Sequence, residues 1–275
     1  MQNKITASIV IYKNDLRLLK EAADSFLNST QDSTLFIIDN SPTDKCREHF
    51  QHPRIRYIFN NKNLGFGAGH NIALKEVLAE RVSLYHIILN PDVYFEVAVP
   101  ANIYSFMEKN PTVGLVMPKV LYPDGRLQPL CKLLPSPLTL FMRRFLQFIP
   151  FWIDRMNHWY EMRFSGYDKV MDVPFLSGCF MFLRTDALRK VGLFDEKIFL
   201  YTEDTDLTRR IHKHYRTLFF PDATIYHHNQ RGSYKSLVIL MHHMFSAIKY
   251  FNKWGWFIDD EREHFNQRIL LKFSE

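Results

Sequence analysis

One aspartate stands directly after the end of a short buried strand. Residues 87–93 are apolar as far as Leu89, and Pro91 stops the strand because it has no N–H to donate to a ladder. Asp92 follows, beyond the carboxyl end of the strand, where open α/β sheets hold their ligands. A carboxylate there can bind a hard divalent cation, which in turn binds a diphosphate. The simpler alternative is a turn, since Asn, Pro and Asp all form turns.

A second group of carboxylates lies further along the chain. Five acidic side chains fall between residues 195 and 206, and Glu203, Asp204 and Asp206 begin a pattern that predicts a helix through Ile211. Acidic side chains in a first helical turn are often caps or partners of the helix dipole. Capping or dipole compensation explains one or two of these acidic residues well, but it explains all three poorly. A carboxylate that faces a pocket can instead be the general base for a hydroxyl.

A glycine-rich segment precedes the strand of Asp92. Residues 60–71 read NNKNLGFGAGHN, and we predict a helix from Ile72 onward. Such a loop lets its backbone approach a ligand closely, and the helix N-terminus favours negative charge. The segment is neither a GxGxxG fingerprint nor a P-loop. A tight loop that simply packs explains it equally well.

Two adjacent histidines, His227 and His228, follow a strand-like run, with Arg231 and Lys235 nearby. A lone histidine is more often structural than a ligand. A pair in this position could place one imidazole on a metal or a diphosphate.

Small residues interrupt the apolar run over residues 173–184. Ser177 and Gly178 predict a kink inside a buried strand, where another group can come close to the backbone. A short helix over residues 185–191 follows, with Thr185 as its predicted N-cap.

The remaining pattern alternates strands with helices, which is typical of a parallel sheet with right-handed crossovers. The predicted fold class is therefore α/β, with a mostly parallel central sheet flanked by helices. We predict strands over residues 6–12, 34–38, 55–59, 113–117 and 217–220, helices over 15–26, 99–109 and 237–251, and a hairpin over 118–126.

Residues 138–164 form a distinct stretch, dense in Phe, Trp, Met, Leu and Arg. It reads as a helical insertion that packs on the core, or as an amphipathic surface for a lipid interface. Pro150 divides it into two helices. Trp254 and Trp256 form a second amphipathic tip near the end of the chain.

Composition limits the class of protein. The 275 residues are 47% hydrophobic, with a net charge of +6. That charge suits an anionic partner such as a nucleotide, a phospholipid surface or a nucleic acid, but no nucleic-acid motif accompanies it, so we expect no nucleic acid. Three widely spaced cysteines predict reduced thiols and a cytoplasmic setting. We expect neither a signal peptide nor a membrane-spanning helix.

Taken together, the motifs IIDNSPTD, NLGFGAGHN, LNPDV, FLSGCFMFLRTDAL and FDEKIFLYTEDTDL, followed by a His and RGSYKS, carry a resemblance. The chain resembles the family 2 glycosyltransferases with the GT-A fold, and especially their bacterial rhamnosyltransferase-like branch, over residues 5–236. The resemblance implies a GT-A domain over residues 1–236, containing the insertion at about 138–165. A helical C-terminal extension over 237–275 completes the expected organisation.

The family's site residues carry over position by position. Asp204 matches the catalytic base, with Glu203 beside it, and Ser177 and Gly178 lie on the acceptor side. The donor-binding positions are Asp39, which would read the nucleobase, and Asn63, Gly65, Gly67, Asn71, Asn90 and Asp92. Asp92 is the implied ligand of Mg²⁺ or Mn²⁺, together with His227, although the doubled histidine leaves His227 or His228 open. Asn90 replaces the first Asp of the family's DxD-type motif.

The implied activity is inverting transfer of a sugar from a nucleotide-diphosphate sugar to a saccharide acceptor, lipid-linked and part of bacterial surface polysaccharide or lipopolysaccharide assembly. Rhamnose is the preferred sugar, and this preference rests only on the resemblance to the rhamnosyltransferase-like branch. A UDP-hexose or galactofuranose is the alternative. The expected location is cytoplasmic, peripheral on the inner face of the membrane. Two other classes compete: a nucleotidyltransferase, disfavoured because residues 11–15 lack glycine, and a catalytically inactive nucleotide-sugar-binding module.

Overall fold

A computed structural model describes residues 3–81, 83–145, 149–229 and 237–273 of the chain. The helices within these ranges are α1 (Leu16–Ser29), α2 (Phe66–Ala79), α3 (Val99–Lys109), α4 (Pro137–Phe145), α5 (Pro150–Tyr160), α6 (Thr185–Val191), α7 (Glu203–His212), α8 (Leu237–Trp254) and α9 (Asp260–Leu271).

The strands are β1 (Asn3–Ile11), β2 (Ser33–Asp39), β3 (Ile55–Phe59), β4 (Ser83–Leu89), β5 (Val93–Phe95), β6 (Val113–Leu121), β7 (Cys131–Lys132), β8 (Met171–Asp172), β9 (Phe175–Leu176), β10 (Phe180–Arg184) and β11 (Arg216–His227). The central sheet has the order β3-β2-β1-β4-β10-β6-β11-β5, with β8 against β11. A second, small sheet pairs β7 with β9.

The central sheet is parallel in its first half and mixed in its second. Strands β3, β2, β1 and β4 are parallel neighbours. Strand β10 is antiparallel to both β4 and β6, whereas β6 and β11 are parallel. The prediction of an α/β fold with helices flanking a central sheet is confirmed, and the parallel order holds for the first four strands.

The sheet is buried on both faces, which explains why its strands are continuous apolar runs. Helix α1 shows how a crossover helix is specified. Its N-cap Asp15 accepts a hydrogen bond from the Arg17 N–H, and its apolar face buries Leu19 and Phe26 completely. Full burial of one such side chain contributes about 1.5–3 kcal/mol.

Several predicted elements differ in their bounds. Helix α2 begins at Phe66 and not at Ile72, so Gly67 lies inside the helix. Thr185 is not an N-cap: Arg184 holds that position, and the Thr185 hydroxyl donates to the backbone oxygens of Ser83 and Leu84. Tertiary contact, not capping, therefore fixes the start of α6.

The second half of the chain holds three further differences. The kinked strand predicted over residues 173–184 is two strands, β9 and β10, which belong to different sheets and flank the Ser177–Gly178 break. The short strand predicted over 217–220 is the longer β11, which ends at His227. The charged tail contains helix α9, which lies within the helical extension expected over 237–275, although no separate bounds were predicted for it.

Buried ion pairs of Arg209 hold α7 against the C-terminal helical segment. Arg209 is 1% exposed; its guanidinium binds Asp259 and Glu261 and lies 4.1 Å from the centre of the Trp254 ring. A buried arginine needs such partners, because an unpaired buried charge is strongly destabilising. The described part of residues 237–275 thus packs directly against the helix that carries Asp204.

The insertion forms two helices, α4 and α5, as Pro150 predicted. Over the described ranges, no helix combines the length and the apolar character needed to cross a membrane. The helices nevertheless expose large apolar side chains, including Phe151 (74%) and Trp152 (59%).

Candidate active site

The carboxyl ends of the four parallel strands meet at one edge of the sheet, and polar residues follow each of them. Asp39 closes β2, Asn60 follows β3, and Asn90 follows β4. Side chains join them, since the Asn60 amide donates to Asn40 at 2.8 Å and the Asn40 amide donates to the Gly65 oxygen at 3.1 Å. This edge is the expected ligand position in an open α/β sheet.

Asp39, the predicted nucleobase reader, is fully buried at the end of β2. One carboxylate oxygen accepts the Ser41 N–H at 2.8 Å, and the other accepts the Tyr57 hydroxyl. Burial and the bond to Asp39 raise the pKa of Tyr57, so it stays a protonated donor. Tyr57 was not predicted from the sequence, and base reading by Asp39 stays a prediction.

The glycine-rich segment packs against the loop that precedes α7. Gly65 has φ +87°, and a Cβ there would lie 2.2 Å from the backbone oxygen of Phe199. That oxygen accepts the Phe66 N–H at 3.0 Å, while the Asn63 side chain accepts the Gly65 N–H at 3.1 Å. Glycine at position 65 is thus required for this loop to reach the N-terminus of α2.

Gly67 and Asn71 continue the same contact one turn further along α2. A Cβ on Gly67 would lie 2.8 Å from the Cβ of Phe194. The Asn71 amide donates to the Phe194 oxygen at 2.9 Å and accepts the Phe194 N–H at 3.1 Å. Both polar atoms of this buried side chain therefore bind the backbone, and its observed role is to position the loop.

Asp92 and His227 lie together. The Asp92 Oδ1 is 3.3 Å from His227 Nε2, with both side chains largely buried. The His228 side chain points away from Asp92, toward Glu21 at 3.2 Å. Its backbone N–H donates to the backbone oxygen of Asp92 at 3.0 Å. The structure therefore brings His227, and not His228, to the predicted metal position.

A glutamine that sequence analysis had not predicted orients His227. The buried Gln128 donates to the backbone oxygen of His227 at 2.5 Å, and its own oxygen lies 3.0 Å from His227 Nδ1. Nδ1 can donate its proton to the Gln128 oxygen, and Nε2 faces Asp92, to which it donates when the imidazole is protonated and where it would bind a metal when it is not. Partners of this kind fix the tautomer and the ring plane of histidines that bind metals.

Asp92 is ionised in this setting. Burial acts to raise its pKa, but the hydrogen bond and charge of His227 hold the pKa below its ordinary value. One carboxylate and one imidazole, 3.3 Å apart, fit adjacent ligands of one Mg²⁺ or Mn²⁺, which lie about 3 Å apart in an octahedral shell. Within the described ranges, no cluster of three or more His, Cys, Asp or Glu side chains could hold a metal.

Asp204 lies at the first turn of α7 against the Ser177–Gly178 break. Its Oδ2 accepts the Gly178 N–H at 2.9 Å, and its Oδ1 accepts the Thr205 N–H at 2.8 Å. A Cβ on Gly178 would approach the Asp204 Cβ to 3.2 Å, so glycine permits this contact. Ser177, the other predicted acceptor-side residue, has its hydroxyl 3.4 Å from the Cys179 N–H.

The two residues before α7 adopt left-handed backbone conformations. Tyr201 has φ +67° and Thr202 has φ +65°. Such values are uncommon for residues other than glycine, and they cluster at functional sites. The Thr202 hydroxyl donates to the Ser246 oxygen of α8 at 3.3 Å, so the C-terminal helices help to hold this turn.

Glu203 and Asp204 occupy different surroundings. Glu203 is 4% exposed, and its Oε2 makes no hydrogen bond in the described part of the chain. Burial, followed by the charge of Asp204, raises the pKa of Glu203 well above its ordinary value. Burial also raises the pKa of Asp204, against the bond from Gly178 and the charge of Lys132. Asp204 is partly open to solvent, whereas Glu203 is buried.

Asp206, the third acidic residue of the turn, is structural. It is fully buried, it pairs with Arg210 at 2.9 Å and Lys253 at 2.8 Å, and it accepts the Trp254 indole N–H at 2.8 Å. These contacts connect the first turn of α7 to the next turn of the same helix, and they hold α7 against α8.

One backbone hydrogen bond connects the segment that carries Asp92 with the segment that binds Asp204. The Asn90 N–H donates to the Cys179 oxygen at 2.9 Å, two residues before Asp92 and one residue after Gly178. The charges of both Asp92 and Asp204 act on the Cys179 thiol, whose pKa burial raises to about 12. Asp92 and Asp204 therefore both lie near Cys179.

Known proteins resemble this chain in sequence and in fold. The sequence model of glycosyl transferase family 2 matches residues 8–192. An N-acetylglucosaminyl-diphospho-decaprenol L-rhamnosyltransferase of Mycobacterium tuberculosis is 27% identical over 250 residues, which are 85% of this chain and 78% of that protein.

Two solved structures show the same fold at low sequence identity. Staphylococcus aureus TarS is 14% identical, with a TM-score of 0.61 over 98% of this chain; the chain spans only 43% of the TarS chain. The mannosyltransferase PcManGT of Pyrobaculum calidifontis, solved with GDP-Man and Mn²⁺, is 16% identical, with a TM-score of 0.59 over 90% of this chain and 65% of that one. The chain therefore belongs to glycosyl transferase family 2, and it is a glycosyltransferase with the GT-A fold.

Proposed function

We propose that the protein is an inverting, metal-dependent glycosyltransferase that moves rhamnose from a nucleotide-diphosphate sugar to a lipid-linked saccharide, in assembly of a bacterial surface polysaccharide or lipopolysaccharide. The observation that carries this proposal is the pairing of two carboxylate sites at one end of the sheet. One, Asp92 with His227, suits a leaving diphosphate; the other, Asp204, suits an attacking hydroxyl.

In the proposed reaction, Asp204 takes the proton from the acceptor hydroxyl while the oxygen attacks the anomeric carbon. A new carbon–oxygen bond forms, the bond to the donor's diphosphate breaks, and attack from the opposite face inverts the anomeric centre. The Gly178 and Thr205 N–H groups keep the Asp204 carboxylate in a fixed orientation. General-base assistance of this kind contributes about 10²–10⁴-fold.

The chain's own residues prepare the leaving-group side. Asp92 and His227 Nε2 would hold Mg²⁺ or Mn²⁺, which supplies charge neutralisation to the departing diphosphate when bound. Gln128 keeps the His227 ring in place. The edge around Asp39, Asn40 and Gly65 is the proposed position of the nucleoside.

The rhamnose donor and the lipid-linked acceptor rest on similarity to the mycobacterial N-acetylglucosaminyl-diphospho-decaprenol L-rhamnosyltransferase, which aligns with 85% of this chain. A hexose donor is the second candidate, because a Haloferax volcanii hexosyltransferase is 20% identical over 76% of this chain.

We also propose that the protein lies on the cytoplasmic face of a membrane. Three elements expose large apolar side chains: α4, α5 and the outer side of α8. We call this surface the apolar face; its exposed members include Phe141, Phe145, Phe151, Trp152, Met241 and Phe245. An amphipathic helical surface with basic residues is typical of proteins that bind bilayer interfaces, and a lipid-linked acceptor is presented at such an interface.

The function is tested by a released-nucleotide assay over a panel of nucleotide-sugars, with and without Mn²⁺, combined with thermal shift. Mn²⁺-dependent turnover with deoxythymidine-diphosphate rhamnose is the expected result. Turnover only with a UDP-hexose or UDP-galactofuranose would show that this sugar, and not rhamnose, is the one transferred. Binding of nucleotide-sugars without turnover on any acceptor would favour the inactive binding module, and metal-independent turnover would remove Asp92 and His227 from their role.

A further inference from the structure

The aromatic ring of Phe66, the first residue of α2, lies beside the proposed base. A Cβ built on Gly178 would lie 3.2 Å from the Phe66 Cε1 and 3.2 Å from the Asp204 Cβ. Both side chains therefore approach the same point, on the side of Gly178 that carries no side chain. Because Gly178 also donates its N–H to Asp204, the ring and the carboxylate are neighbours across this glycine.

The Phe66 ring is held from its inner side. His70 and Phe194 both pack against it edge to face, with ring centres 4.5 Å and 6.0 Å away. This is a preferred arrangement of aromatic pairs. The Phe66 backbone N–H donates to the Phe199 oxygen at 3.0 Å, and His70 is held in turn by the buried Ser8, whose hydroxyl lies 2.7 Å from His70 Nδ1. The ring thus has a defined position against the core.

The outer side of the ring is not fully covered. Phe66, Ser177 and Asp204 are each partly open to solvent, whereas His70 and Gly178 are buried. We infer that the open part of the Phe66 ring shares one opening with the Asp204 carboxylate. Pockets for small ligands are lined mainly by apolar and aromatic side chains, with a few polar groups that orient the ligand. An open phenyl ring next to a carboxylate fits that description.

The proposed reaction determines which part of the substrate meets this ring. Inversion requires the base and the leaving diphosphate to lie on opposite faces of the sugar. The donor sugar would therefore lie between Asp204 and the pair of Asp92 and His227, with its anomeric carbon toward Asp204. Phe66 belongs to the glycine-rich segment on the donor side and contacts the same glycine as Asp204, so its ring would border the sugar next to the anomeric carbon.

The two flanks of an anomeric carbon differ in polarity. On one side is C2 with its hydroxyl group. On the other side are the ring oxygen, C5 and the exocyclic C6, which is a methyl group in a 6-deoxy sugar such as rhamnose and a hydroxymethyl group in a hexose. A phenyl ring gains by covering a methyl group, whereas a hydroxyl placed against it loses hydration without a matching hydrogen bond. The ring therefore suits the C6 side of a 6-deoxy sugar.

We propose that Phe66 determines the specificity for the donor sugar: its ring contacts the C6 methyl group and so favours a 6-deoxy sugar over the corresponding hexose. This proposal rests on the proposed function, and it names the side chain by which the transferred sugar is selected.

The test compares two donors that differ only by a hydroxyl on C6, deoxythymidine-diphosphate L-rhamnose and deoxythymidine-diphosphate L-mannose. Calorimetry with Mn²⁺ and without acceptor gives both dissociation constants, and released nucleotide is measured separately with a lipid-linked acceptor. The variants are Phe66→Met and Phe66→Gln. Their side chains have nearly the same length, so lost packing on His70 and Phe194 is common to both, but only glutamine can hydrogen-bond a C6 hydroxyl. Leu84→Gln, exposed near the opposite end of β4, is the control.

Wild type is expected to bind the rhamnose donor about tenfold more tightly than the mannose donor. Phe66→Met and Leu84→Gln should keep most of this preference, and Phe66→Gln should lose it. Binding of deoxythymidine diphosphate alone should stay the same in all four proteins, which would show that the donor loop is intact. A purely structural role of Phe66 would instead affect both donors equally.

Equal binding of the two donors by wild type overturns the proposal, and so does a preference that Phe66→Gln keeps or that both Phe66 variants lose to the same extent. Transfer of both sugars with equal binding would leave the proposed function standing and overturn the sugar contact. A preference that depends on Phe66 without transfer to any acceptor would support the sugar contact and count against the proposed function, so the two failures are distinguishable.

Discussion

The backbone N–H of Gly178 donates a 2.9 Å hydrogen bond to Oδ2 of Asp204, from the break between the small sheet and the central sheet. Glycine relieves crowding there, because a Cβ would lie 3.2 Å from the Asp204 Cβ, a tight contact. The bond holds the carboxylate while leaving it partly open to solvent. The structure thus explains why small residues interrupt an otherwise apolar run at this position.

Asp204→Asn is expected to lower kcat by about 10²–10⁴-fold, because an amide cannot take the acceptor's proton. Nucleoside-diphosphate binding should stay unchanged, since the donor contacts lie at the other carboxylate site. Turnover and calorimetric binding measure the two effects. Asp186→Asn, which removes a surface carboxylate paired with Arg189, is the control. Transfer at a near wild-type rate in Asp204→Asn would assign the base to another residue.

Glu203→Gln is expected to stabilise the protein at neutral and alkaline pH. Because the pKa of Glu203 is raised in the folded state, the folded protein keeps the proton after the unfolded chain has released it. The stability contributed by Glu203 is therefore full below its unfolded pKa of about 4.3 and is lost as pH rises toward the folded pKa. Glutamine does not titrate, so the gain in Tm over wild type should grow from pH 4 to pH 8. Glu80→Gln, at an exposed position, should show no such trend.

Gln128→Met is expected to weaken metal binding about 10–100-fold, because His227 loses the partner that fixes its tautomer and ring plane. The Mn²⁺ concentration for half-maximal activity, and direct Mn²⁺ titration in the presence of nucleoside diphosphate, measure the change. Gln128→Glu keeps an oxygen for the Nδ1 proton but loses the donor to the His227 backbone oxygen, so an affinity above that of Gln128→Met would assign the effect to the Nδ1 contact. An unchanged Mn²⁺ requirement in Gln128→Met would show that His227 does not depend on this contact.

Local pattern was sufficient for some elements of the fold. The end of β4 before Asn90, and helix α3 over Val99–Lys109, are as predicted. An apolar run followed by a proline predicts the first, and an amphipathic repeat with a nearby proline predicts the second. Each of these signals lies within a few residues of the sequence. Strand β11 was predicted too short because Pro221 normally ends a strand. In the structure a register shift between Phe220 and Thr224 accommodates it.

Tertiary contacts account for what the pattern could not predict. Helix α2 starts at Phe66 despite its glycines, each of which costs about 1 kcal/mol of helix propensity, because Gly67 and Asn71 pack on Phe194. Gln128 lies 99 positions from His227, and nothing in its neighbouring residues marks it as a partner. Asp92, Asp204, Gly178 and His227 were named from their motifs, whereas Gln128, which binds His227, and Tyr57, which binds Asp39, were not.

Gly65→Ala is expected to destabilise the protein more than Gly192→Ala. Both glycines adopt nearly the same backbone conformation, with φ +87° and ψ −178° at Gly65 and φ +82° and ψ 175° at Gly192. Backbone strain of about 1–3 kcal/mol is therefore common to both variants. Only at Gly65 does the new Cβ meet a backbone oxygen, that of Phe199, at 2.2 Å, whereas at Gly192 the nearest atom lies 3.8 Å away. Chemical denaturation measures both, and equal losses would show that the clash is relieved by movement of the loop.

Replacing Phe151 and Trp152 by serine is expected to reduce binding to anionic vesicles while leaving the fold intact, because both side chains are already exposed and contribute little to the core. Their apolar area would enter the interface, and nearby arginines would add an attraction that salt screens. Vesicle flotation at low and high salt measures this, with Leu84→Ser combined with Val97→Ser as the control, since those apolar side chains are exposed outside the apolar face. Binding that falls with salt in wild type, and that the Phe151 and Trp152 variant loses but the control keeps, would support the apolar face as the membrane contact. Wild-type protein that does not float with vesicles at low salt, or variants that all float equally, would rule out that contact and leave the transfer chemistry at Asp204 unaffected.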